Sequence, residues 1–79
     1  MQTRADLPEH LLQLQRTADS EHLALQQLSD SEERRRQRQF WFEAAYAVQT
    51  AVTLYAQTKG LNHFEVERTL HGIVRGASR

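Results

Sequence analysis

Seventy-nine residues make one small domain at most, and a chain of that length hides only about 60% of the surface its unfolded form exposes. Cysteine is absent, which excludes disulfides, thiolate metal sites and thiol catalysis; ten Lys and Arg against ten Asp and Glu argue against a general polyanion binder. No apolar run approaches the roughly 20 residues a membrane span requires, and the opening MQTRADLPEH holds no apolar signal core, so a cytoplasmic chain away from membranes is expected.

Helices are the expected elements throughout. The single proline is Pro8 and the glycines are Gly60, Gly72 and Gly76, so residues 9–59 contain neither breaker. The first helix is predicted over 7–28, starting at Asp6 or Leu7 with Pro8 in its opening turn, where a missing N–H costs nothing. Leu7, Leu11, Leu14, Ala18, Glu21, Leu25 and Leu28 form a seam at spacings of four and three with one flaw, Glu21. Leu12 and Leu23 lie off the seam and widen the stripe. Asp19-Ser20 offers a cap that would split the segment, but the seam keeps its phase across it, which favours one helix.

Ser29-Asp30-Ser31 interrupts the pattern. Ser29 with Glu32, or Asp30 with Glu33, has the spacing of a capping box. A second helix is predicted over 31–59, about 40 Å long. Lys59 suits its negative end and Gly60 the left-handed position beyond it. In Leu61-Asn62-His63-Phe64-Glu65-Val66, Asn62 is placed to cap, with Glu65 at the third helical position and Leu61 and Val66 at the staple positions. The third helix, 63–75, is expected to turn Phe64, Leu70, Ile73 and Val74 to one side, with Gly72 weakening it by up to about 1 kcal/mol and 76–79 fraying.

On the second helix, Phe40, Trp41, Ala44, Val48, Ala51, Val52 and Tyr55 gather on one face, which Ala45, Ala47, Leu54 and Ala56 broaden beyond half the circumference. One neighbouring helix does not cover that width. Phe42 and Tyr46 fall on the opposite, polar arc four residues apart, where they would touch each other and mark a partner-binding spot. Arg34-Arg35-Arg36-Gln37-Arg38 continues the helix with no apolar side, so its first turns are expected to project or pair loosely, with Glu32 and Arg36 as an i,i+4 pair. Either a solvated helix start or a positive ridge for an acidic surface explains the run. Arginines near a helix N-terminus oppose its dipole, which slightly favours the ridge.

No catalytic motif occurs, and neither a cofactor nor a metal is expected. His63, Glu67 and His71 stack three ligand-type groups at i, i+4, i+8, yet the ends of that set lie about 12 Å apart along the axis, too far for one ion. Ala56, Gly60, Leu61 and Val66 stand at the positions where helix-turn-helix units favour Ala, Gly and two apolar residues, so the stretch 52–71 resembles the bihelical core of Cro-like repressors. That resemblance implies DNA contact from His63, Phe64, Glu67 and Arg68. Lys59 where such units bury an aliphatic chain, Glu65 and Glu67 near phosphates, and the length of the preceding helix depart from the pattern.

Together these observations predict an all-α fold: an antiparallel helical hairpin, 7–28 against 31–59, with a third short C-terminal helix across its open end, as a homodimer or an obligate complex. Leu11, Leu14, Ala18, Leu25 and Leu28 would meet the wide face of helix 2. The expected role is a non-enzymatic adaptor, chaperone or inhibitor that masks a partner protein through Trp41, Phe42, Tyr46 and Arg34, Arg35, Arg36 and Arg38. The expected build resembles that of small bacterial antiactivators and secretion chaperones, although no motif identifies either family. The alternative is a dimeric DNA-binding regulator using 52–71 and the same arginines.

Overall fold

A computed structural model describes residues 7–77. Among them it contains three helices and no strand: α1 (Glu9–Gln27), α2 (Ser31–Lys59) and α3 (His63–Ala77). Each boundary has a local cause. Pro8 is the N-cap of α1 rather than part of its first turn, with extended backbone (φ −58, ψ 144) and a carbonyl that accepts the Leu11 N–H at 3.1 Å. The expected start at Leu7 thus shifts to Glu9, and Asp6 lies outside the described residues. No break occurs at Asp19-Ser20. Of the two caps offered for α2, Asp30 is used: its Oδ2 accepts the Glu33 N–H at 3.0 Å.

The end of α2 is a Schellman turn. Gly60 adopts the left-handed conformation (φ 68, ψ 33), its N–H donates to the Gln57 carbonyl at 3.4 Å, and the Leu61 N–H donates to the Ala56 carbonyl at 2.8 Å. Asn62 then opens α3, its Oδ1 accepting the N–H groups of Phe64 at 2.8 Å and Glu65 at 3.2 Å. The expected staple is open on one side, since Leu61 is half-exposed while Val66 is buried. Helix α3 continues through Gly76 and Ala77, past the expected end at 75; Ser78 and Arg79 lie outside the described residues.

Contacts between α1 and α2 run in opposite order along the two helices, so the pair is antiparallel. Arg34 reaches Leu25 and Leu28 beside the turn, Gln37 reaches Glu21, and Trp41 stacks on His22 with ring centroids 4.5 Å apart. Helix α3 folds back along the C-terminal half of α2: Thr53 Oγ1 and His63 Nδ1 share a hydrogen bond at 3.2 Å, and Gln49 Nε2 donates to Glu67 Oε2. The core joins all three helices through Leu11 and Ala18 of α1, Val48, Val52 and Ala56 of α2, and Val66, Leu70 and Val74 of α3. The four-residue spacing on α2 and α3 makes each stripe one side chain wide.

Three expectations about packing are corrected, and one buried residue was not foreseen. Phe64 lies two residues from Val66, about 200° round the helix, and is therefore 69% exposed rather than in the core. Phe40 sits at the edge of the wide face and is half-exposed. Gln15, next to the seam residue Leu14, is buried, its Nε2 donating to Asp19 Oδ1 at 2.9 Å. The first turns of α2 do not project: Gln37 Nε2 donates to both the carbonyl and Oε1 of Glu21 at 2.9 and 2.5 Å, so the flaw in the seam is one half of a polar pair. Beyond the reach of α3 the hairpin continues as a two-helix arm, where Leu25 is buried outside the main cluster. The fold is accordingly long, 48 × 28 × 17 Å with a radius of gyration of 14.1 Å, against about 11.6 Å for a compact chain of this length.

Candidate interaction surface

Helix α2 positions every residue of the expected site, and its helical phase sorts them into different environments. Trp41 points towards α1 and is half-buried on His22. Phe42 and Tyr46 lie on the outer side at 52% and 75% exposure. The expected contact between them is replaced: the ring partner of Phe42 is Trp41, at 5.3 Å with planes tilted by 34°. His22, Trp41 and Phe42 thus form a continuous aromatic row from the α1–α2 groove to the surface, with Tyr46 one turn further on.

The arginine run divides in the same way. Nη1 of Arg34 donates to the carbonyls of Leu25 and Leu28, both at 2.9 Å, and so closes the C-terminal end of α1. Its positive charge sits at the negative end of that helix, where it is favourable. Arg34 is therefore turned inward to the interhelical turn, apart from any outward ridge. Arg35 pairs with Glu32 at 3.2 Å on the surface, taking the place of the expected Glu32–Arg36 pair. Arg36 and Arg38 are exposed. Of the four arginines, three point outward.

A feature of α2 missed by motif reasoning becomes visible once the faces are known. Glu43 is the single charged residue between Arg38 and Lys59, and residues 44–58 carry none. The outer face of this stretch is nevertheless open: Tyr46, Gln49, Thr50, Thr53, Leu54 and Gln57 line a shallow groove along it, and Leu54 is 63% exposed. A solvated helix face ordinarily carries charge, whereas the centre of a protein interface is depleted of charge and enriched in aromatics. The uncharged run itself was the available signal.

The outer face of α3 differs in chemistry. Phe64, Glu67, Arg68, His71, Gly72 and Arg75 surround a second shallow depression. His63 and Glu67 are engaged by α2, and among the described residues no three His, Asp or Glu side chains are grouped to hold a metal ion. No described helix is long and apolar enough to cross a membrane. Comparisons with protein-family models, curated proteins and solved structures return no match to this chain.

Proposed function

We propose that the chain is a non-enzymatic protein–protein interaction module that masks a surface of a partner protein. The observation that carries this reading is the pair Phe42 and Tyr46, both more than half exposed beside a stretch of helix with no charge. Aromatic side chains in such a setting anchor interfaces because they bury large area at little cost in conformational freedom. Arg35, Arg36 and Arg38 would supply a positive rim at the arm end, suited to carboxylates on the partner. The same reading makes the chain a cytoplasmic adaptor, chaperone or inhibitor that works as part of an assembly; cell fractionation tests the compartment.

The test is co-purification of the tagged chain with mass spectrometry, in parallel with a Phe42→Ala/Tyr46→Ala variant. The expected result is a defined partner that the variant loses while its circular dichroism is unchanged. A variant that unfolds, or that retains the partner, refutes the assignment of these rings.

A second reading, a DNA-binding regulator, draws on the outward placement of Phe64, Arg68 and His71 on the helix after the Gly60 turn. It requires a band shift with duplex DNA that weakens steeply with salt. Glu67, tethered to Gln49 at the edge of this face, opposes phosphate contact there. No shift at low salt removes this reading.

A further inference from the structure

We infer that the stripe of α2 through Phe40, Ala47 and Leu54 is a self-association surface, pairing antiparallel with the same stripe of a second copy about a two-fold axis at Ala47. Phe40 and Leu54 each stand seven residues from Ala47, which is two turns, so all three lie on one side of the helix. Phe40 and Leu54 are 52% and 63% exposed. A two-fold interface must be complementary to itself. Here the operation sets each Phe40 on the partner's Leu54 and each Ala47 on the partner's Ala47. Ala44 and Ala51, a turn to either side and only partly buried by the core, let the two helices approach closely at the crossing.

Charge selects the antiparallel sense. Arg36, about 40° round the helix from Phe40, lies near the N-terminus of its own helix, whose dipole it opposes. The antiparallel register carries it to the last turn of the partner's α2, the negative end of that helix's dipole. Lys59 stands about 140° round the helix from Leu54, away from that contact. Glu43, the one charge within the stripe, meets the partner's Thr50 and Ala51, and a threonine hydroxyl can donate to it. A parallel pair would instead set Glu43 on Glu43 and Arg36 on Arg36.

The inference uses residues other than Phe42 and Tyr46, so it stands or falls apart from the partner-masking reading.

Sedimentation equilibrium and disulfide trapping test it, and the chain contains no native cysteine to confuse the second. The expected mass is twice that of one chain, falling to one chain in Ala47→Glu with helical circular dichroism retained, and unchanged in Phe42→Ala/Tyr46→Ala. On oxidation, Ala47→Cys is expected to cross-link to itself. A mixture of Phe40→Cys and Leu54→Cys is expected to cross-link to each other in preference to themselves. If Ala47→Glu unfolds, the cysteine variants still decide the matter. A wild-type chain that stays monomeric up to about 1 mM, or preferential Phe40→Cys self-linking, overturns the proposal. A monomer whose stripe variants lose a different protein gives the surface to that protein and overturns it equally.

Discussion

Among four neighbouring arginines the structure singles out one for stability. Arg34 donates two hydrogen bonds at 2.9 Å from one nitrogen to the carbonyls of Leu25 and Leu28, in a part-buried setting where α1 ends. Arg34→Met keeps the aliphatic stem and removes the donors. A hydrogen bond involving a charged group is worth about 1.5–3 kcal/mol net. The two share one nitrogen, and water can reach the carbonyls after the change, so the pair together is assigned about 2 kcal/mol. A chain of this size has roughly 4–12 kcal/mol of total stability. At about 4–8 °C per kcal/mol, the melting temperature should fall by about 8–16 °C. Arg35→Met, which breaks only an exposed pair with Glu32 (side chains 72% and 68% exposed), should cost no more than about 0.5 kcal/mol. Urea titration followed by circular dichroism compares the two. Equal midpoints would refute the reasoning, because the arginines would then be interchangeable.

Two glycines should respond to alanine with opposite signs. A Cβ at either Gly60 or Gly72 meets nothing within 4 Å, so only the backbone decides. Gly60→Ala forces a side chain onto φ 68 and should cost about 1–2 kcal/mol, while Gly72→Ala inside α3 should add up to about 1 kcal/mol; thermal melts with the same sign for both would contradict this. Leu70 is fully buried among the three helices, so Leu70→Ala should cost about 2–5 kcal/mol. Phe64→Ala, at 69% exposure, should stay within about 0.5 kcal/mol; chemical denaturation of the two variants side by side checks the contrast.

Helix boundaries were legible because each rests on the chemistry of one or two residues: an aspartate accepting from an N–H, a glycine taking positive φ, an asparagine opening the next helix. The seam of α1 was legible for a similar reason, since a period of three and four survives any change of neighbour. What the linear pattern withheld is which apolar residue another helix covers. Phe64 and Val66 look equivalent in sequence, yet about 200° of rotation separates them, and only the placement of α1 and α2 gives Val66 the core. The arginines are alike in composition; one of them reaches the turn because it alone faces back towards Leu25 and Leu28. Of the expected partner-binding set, Phe42, Tyr46, Arg35, Arg36 and Arg38 lie outward, while Trp41 and Arg34 are drawn into contacts with α1. Periodicity places Leu54 and Phe40 on one broad apolar face without saying which part of it is covered, and the third helix leaves their side open.

The pair Glu21–Gln37 raises a different question, because a polar layer in the arm of a hairpin adds little stability compared with two leucines. Gln37→Leu leaves the part-buried Glu21 carboxylate without its partner and should cost about 1 kcal/mol, whereas Glu21→Leu leaves Gln37 its bond to the carbonyl of residue 21 and should cost somewhat less. Replacing both removes the need for a partner and extends the Leu14, Ala18, Leu25 seam without a gap. The double variant should therefore be at least as stable as the native chain, giving a favourable coupling of about 1–2 kcal/mol between the two leucines in a double-mutant cycle. A seam of uniform leucines no longer distinguishes one register of α1 on α2 from the next, or from that of another copy, as a single polar position does in coiled coils. The double variant should accordingly sediment as larger or mixed species while melting at a higher temperature. Additive losses, with a well-defined assembly state, would show that this pair supports stability and has no part in fixing the register.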